Sequence, residues 1–80
     1  MDYFLMSRYQ SIEENIMYVS MKLYKLLDKQ ELHIDQLFEQ YSINEDIQLN
    51  MVLEKVLYLS LTFLYSIGKI TVKYNMVKRS

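Results

Sequence analysis

LYSIGKITVKY, residues Leu64 to Tyr74, contains the only glycine of this 80-residue chain, and the path of the backbone through it decides the fold. Upstream, from Asn50 to Ile67, apolar side chains recur at three- and four-residue spacing, the signature of a helix. Asn50 can cap that helix with its side-chain oxygen. Downstream, Lys69-Ile70-Thr71-Val72-Lys73-Tyr74 alternates polar and apolar at period two, which predicts a strand. Between them stands Gly68. Glycine alone takes the left-handed conformation beyond a helix end without steric cost. The stretch therefore predicts a helix that stops at Gly68 and turns into a strand. Asn75 is a turn residue, and Met76-Val77-Lys78 can return as a second strand.

Working outward, Ser11-Ile12-Glu13-Glu14 fits a capping box. Ile12, Ile16, Val19, Leu23, Leu26 and Leu27 then form one apolar helical face, predicting a first helix over about residues 12–29. Leu32-His33-Ile34 is a short alternating piece ending at Asp35, a suitable N-cap. Leu37, Phe38 and Tyr41 mark a second helix of about two turns that closes near Ser42, with an acidic loop from Ile43 to Leu49. Helix, short strand, short helix, long helix, hairpin is the order of a winged helix-turn-helix. The expected class is mainly α with a small β-hairpin: an extended arm over residues 1–10, then one winged-helix-like domain over 11–80. A plain three-helix bundle is the rival.

Composition narrows the function. There is no cysteine and one histidine, so disulfides are excluded and a zinc site has no ligand set. No metal, cofactor or catalytic residue is expected. His33 has no second ligand, Gly68-Lys69 lacks the upstream glycines of a phosphate loop, and no Ser–His–acid set can be assembled. The longest uncharged run, Val56 to Gly68, is too short to span a bilayer. MDYFLMSRYQ lacks the basic start and apolar stretch of a signal peptide, so a cytoplasmic protein is expected. Eight tyrosines and six methionines suit surfaces that dock other proteins.

Charge is sorted along the chain. Residues 30–54 carry six acidic side chains and no Lys or Arg, whereas residues 55–80 carry Lys55, Lys69, Lys73, Lys78 and Arg79 and no acid. A DNA-reading third helix presents Arg, Lys, Asn or Gln to base edges. Here, at about 100° per residue, Leu53, Leu57, Ser60, Leu64 and Ile67 share the predicted core side. Lys55, Thr62 and Ser66 face away, flanked by Met51, Tyr58, Leu59 and Tyr65. One outward lysine opposed by Glu54 cannot neutralise several phosphates, and the acidic second helix would repel the backbone. Lys69, Lys73, Lys78 and Arg79 of the hairpin could touch phosphates without reading sequence; strand-edge lysines that discourage edge pairing explain them as well. Tyr3, Phe4 and Leu5 of the arm, with Met51, Tyr58, Leu59 and Tyr65, are the expected protein-docking residues, because they are large, apolar and outside the predicted core.

LYLSLTFLYSIGKITVKY (57–74) resembles the C-terminal helix and wing of the middle component of ABC-three component systems. Leu61, Leu64, Tyr65, Gly68, Lys69 and Ile70 carry the likeness, and HIDQLFEQY (33–41) resembles the family's second helix. It covers about residues 11–74; where the family has a fuller N-terminal segment, this chain has a short arm. The resemblance implies a non-catalytic winged-helix subunit of a bacterial anti-phage system. It would join an SMC-like ABC ATPase, akin to chromosome-maintenance and repair coiled-coil ATPases, to an effector such as a nuclease, as in the related Lamassu-type systems. DNA would be met weakly or only through the complex. The alternative is a small winged-helix DNA-binding regulator.

Overall fold

The computed structural model describes residues 12–80, with side chains from Asn15 onward. Within them the order is α1 (Ile12–Leu26), β1 (Leu32–His33), α2 (Ile34–Glu45), α3 (Met51–Ser66), β2 (Ile70–Lys73) and β3 (Met76–Arg79). The described part is mainly helical, with one small antiparallel sheet in the order β1-β3-β2. β3 lies centrally, pairing Leu32 with Val77 on one side and Val72 with Val77 on the other. The expected hairpin is thus extended to three strands by the two-residue β1. The arm over residues 1–10 and the Ser11–Glu14 capping box lie outside the described residues or side chains.

The passage through Gly68 is as expected. Asn50 Oδ1 accepts from Leu53 N–H at 2.9 Å and starts α3. At the other end Gly68 has φ +77°. Lys69 N–H donates to Leu64 O (2.9 Å) and Gly68 N–H to Tyr65 O (3.0 Å). These two bonds are the Schellman pair, which satisfies carbonyls that a helix end otherwise leaves without partners. The hairpin that follows turns on Tyr74 and Asn75, both at positive φ, between the paired Lys73 and Met76. That is the two-residue turn whose twist matches a right-handed hairpin.

Tyr74, expected in the strand, is a turn residue beyond β2, and three boundaries of α1 and α2 also differ from expectation. α1 stops at Leu26 and gives way to a turn in which Lys29 is left-handed. α2 runs twelve residues, not two turns, through Ser42 and into the expected loop. It ends because Asp46 takes the left-handed conformation, with Asp46 N–H to Ile43 O and Ile47 N–H to Ser42 O repeating the Schellman pair. Asp tolerates that conformation locally better than most side chains. α2 also begins earlier, with His33 and not Asp35 as its cap. His33 Nδ1 accepts from Asp35 N–H (3.2 Å) and Gln36 Oε1 accepts from His33 N–H (3.1 Å), a reciprocal capping box. The Asp35 carboxylate lies 3.8 Å from the same nitrogen.

The core gathers Val19 and Leu23 of α1 with Leu27 just beyond it, Leu37, Phe38 and Tyr41 of α2, and Leu53, Leu57, Leu61 and Leu64 of α3, closed by Leu32, Ile70 and Val77 of the sheet. Ile67, expected on the core side, is 49% exposed. α3 has ended by then, and Ile70 and Val77 occupy the interior instead. α1 and α3 cross where both carry a buried serine. Ser20 Oγ donates to Ser60 O (3.3 Å), and Ser60 Oγ lies 2.8 Å from Val56 O and 3.5 Å from Ile16 O. One hydroxyl has one proton, and the nearer Val56 carbonyl takes it. Both small polar groups are thereby satisfied at a point where larger side chains would hold the helices apart.

Candidate protein-docking surface

α3 presents four strips to its surroundings. Leu53, Leu57, Ser60, Leu61 and Leu64 face the core, and Lys55, Thr62 and Ser66 face outward. Between them run two apolar flanks, and the structure divides the expected docking residues between these. Tyr58 and Tyr65 lie on the flank toward the sheet; Leu59 lies on the other, and Met51, 76% exposed, starts the helix. Tyr3, Phe4 and Leu5 lie outside the described residues.

On the sheet-side flank, Tyr58, Leu61, Thr62 and Tyr65 form a shallow groove with Ile34 of α2 and Val72 of β2. Local structure positions it. Ile34 N–H donates to Asn75 O (2.9 Å), holding the hairpin tip against the start of α2. The Tyr58 ring meets Phe38 edge-to-face with centroids 5.0 Å apart, which fixes the ring while leaving half of the residue in solvent. Tyr65 is 60% exposed. Tyr58 also lines a second groove, with Phe38 and Leu49 at its apolar surface and Asp35, Glu39 and Glu54 beside them. The two grooves share Tyr58. On the opposite flank, Phe63 and Leu64 of α3 and Ile67 just beyond it meet Met17, Met21 and Tyr24 of α1 in a separate, mainly apolar groove that Ser20 and Lys69 also line. Met17 and Met21 are both more than half exposed.

The basic residues of the hairpin are not equivalent. Lys69, Lys73 and Lys78 are exposed, with Lys73 Nζ 5.7 Å from the centroid of the Tyr74 ring. Arg79 is engaged elsewhere. Its Nε and Nη2 donate to Tyr24 O at 3.0 and 2.8 Å, its guanidinium lies 3.9 Å from the Tyr24 ring centroid, and Nη1 is 3.6 Å from Asp28 Oδ1. It ties the end of β3 to the last turn of α1, where a cation also complements the helix dipole. Of the four basic residues assigned to a phosphate backbone, Arg79 is therefore the one already committed inside the fold.

Sequence reasoning missed Ile34 and Val72 in the first groove, Phe38 in the second, and Met17 and Met21 in the groove on the opposite flank. Each is an ordinary apolar position, and only the packing of neighbouring elements shows which ones stay open. The single available signal was on α1, where Met17, Met21 and Tyr24 widen the apolar stripe beyond what one core contact covers.

Apolar grooves thus open on two flanks of one helix of this small helical domain. Among the described residues no helix is long and apolar enough to cross a membrane. The chain belongs to the ABC-three component (ABC-3C) system Middle Component 6 family, which it matches over residues 5–79, and so to the subunits of a multi-component system. It is also 51% identical over all 80 residues to the uncharacterized protein YydC of Bacillus subtilis (strain 168). The chain spans 60% of that relative's length. No solved structure matches.

Proposed function

We propose that this chain is a non-catalytic accessory subunit of a bacterial anti-phage complex. It would bridge an SMC-like ABC ATPase and an effector such as a nuclease, in the manner of Lamassu-type systems. The observation that carries the bridging role is the separation of the two apolar grooves. They lie on opposite flanks of α3 with the Lys55, Thr62 and Ser66 strip between them, so one compact partner contact cannot cover both. Membership of the ABC-3C middle components supports the setting. The element order, with β1 added to the β2–β3 hairpin, supports the winged-helix reading.

The test is a pair of exposed-site variants co-expressed with the ATPase and effector of the same system. Tyr65→Asp disturbs one groove and Met21→Asp the other, and circular dichroism checks that each free variant stays folded. A buried aromatic anchor is typically worth ~2 kcal/mol or more, a factor of about 30 in affinity. Tyr65→Asp should release one partner and Met21→Asp the other. Loss of the same partner from both variants refutes bridging through two surfaces.

A DNA-binding regulator is the second reading, favoured by exposed Lys69, Lys73 and Lys78. Three lysine contacts give a slope of log K against log salt of about −3 at most. A steeper slope with sequence selectivity would move the assignment to DNA.

A further inference from the structure

The surface on the two sides of Tyr58 has a chemical polarity that specifies its occupant. Toward the hairpin it is bounded by Ile34, Leu61, Tyr65 and Val72. Toward α2 it is bounded by Phe38 and Leu49 with Asp35, Glu39 and Glu54. None of these three carboxylates has a Lys or Arg at ion-pair distance among the described residues, whose ion pairs are Lys22–Glu45 and Arg79–Asp28 apart from the His33 contact. Nor does α2 supply one, because no Lys or Arg occurs between residues 30 and 54, and Lys55, next to Glu54, belongs to the outward strip of α3. Two of the acids have a local explanation: Asp35 and Glu54 stand in the first turns of α2 and α3, where the helix dipole favours a carboxylate. Glu39, midway along α2, has none. It leaves an exposed carboxylate beside the half-exposed Tyr58 ring, which rests on the buried Phe38.

We propose that this groove docks a segment of a partner protein carrying a Lys or Arg next to apolar side chains. The cation would lie among Asp35, Glu39 and Glu54 against the Tyr58 face, and the apolar neighbours would enter the Ile34–Tyr65–Val72 end. An aromatic ring attracts a cation through its quadrupole, and nearby carboxylates add Coulomb attraction and orient the approach. An acidic or purely apolar segment gains neither. The inference rests on the accessory-subunit reading in that the segment belongs to another protein, but it concerns only which chemistry this one groove accepts.

The probe is a short amphipathic leucine–lysine peptide, with its leucine–glutamate counterpart as control, titrated into the isotope-labelled full chain and followed by amide NMR. The lysine peptide should shift amides around Asp35, Glu39, Glu54 and Tyr58, and weaken as salt is raised. Glu39→Lys, at an exposed helical position, should weaken it at least tenfold while preserving a dispersed spectrum; Tyr58→Ala should weaken it severalfold. Equal binding of the glutamate peptide overturns the proposal. So does a footprint on Met17, Met21 and Ile67, or unchanged affinity in Glu39→Lys. Concentration-dependent shifts on α2 and the hairpin lysines without peptide would make the occupant a second copy of this chain, and also overturn it. Co-expression separates this from the broader reading. If Tyr65→Asp releases a partner and Glu39→Lys does not, docking stands and the basic occupant falls. If neither releases one, docking at this flank falls as well.

Discussion

Gly68 offers a test in which the sign of the effect, and not only its size, is dictated by geometry. A Cβ added there meets no atom within 4 Å, so substitution creates no clash and changes only backbone preference. With φ at +77°, an L-side chain is disfavoured by roughly 1–2 kcal/mol. Replacing glycine also restricts the unfolded chain, which returns about 0.4–1 kcal/mol of stability. The net expectation for Gly68→Ala is a loss of up to about 1.6 kcal/mol. A D-alanine at the same position reverses the first effect and keeps the second. It is at home at positive φ, so a synthetic chain carrying it should be more stable than the parent by about 0.4–1 kcal/mol. Urea denaturation followed by circular dichroism at 222 nm (the standard helix band) reads both, and in a domain of this size 1 kcal/mol corresponds to about 4–8 °C in Tm. Gly68→Asn should fall between glycine and L-alanine, because Asn visits the left-handed region more readily. An L-alanine variant as stable as the D-alanine chain would refute the left-handed cap and with it the described passage from α3 into β2.

Two further perturbations test how the sheet is attached to the helices. His33→Ala should cost about 1 kcal/mol by removing the α2 cap, and His33→Asn should recover most of it, since either side chain can accept from Asp35 N–H; equal stability of the alanine variant in urea would show that the cap contributes nothing. Arg79→Ala should cost about 1–2 kcal/mol through loss of its two bonds to Tyr24 O and its stacking on the Tyr24 ring. Arg79→Lys should not rescue it, because an ammonium has no planar fork; full rescue by lysine would reduce the contact to simple charge.

What could be read from residues alone followed from how local the determinant was. Gly68 and Asn50 were legible because glycine beyond an apolar helix and Asn before one each have a single dominant use. The end of α2 was not, because Asp46 performs the task of a glycine with a side chain that elsewhere favours loops and N-caps. Its start was hidden for a related reason. Asp35 is the better cap by type, but backbone pairing of His33 with Met76 holds His33 extended just before the first helical residue. A cap is chosen by where the chain leaves the sheet, and that depends on a strand more than forty residues away.

The candidate surface shows the same division between local and distant causes. Angular position on α3 correctly kept Tyr58, Leu59 and Tyr65 out of the core, since that depends only on helical period. It could not say that Leu59 and the two tyrosines face different neighbours, because α1 covers one flank and the β2–β3 hairpin the other. Arg79 makes the point from the opposite direction. By composition it is one of four basic residues near the C-terminus, and by structure it is the clasp between β3 and α1. Removing it from the count leaves three exposed lysines on the hairpin, set against an acidic α2 and a third helix with one outward lysine. Phosphate affinity grows with the number of charges neutralised together. Apolar docking instead needs area and a fixed anchor, which the Phe38–Tyr58 pair beside Tyr65 provides. The balance of charge and exposed apolar surface therefore favours protein over nucleic acid as the partner of α3.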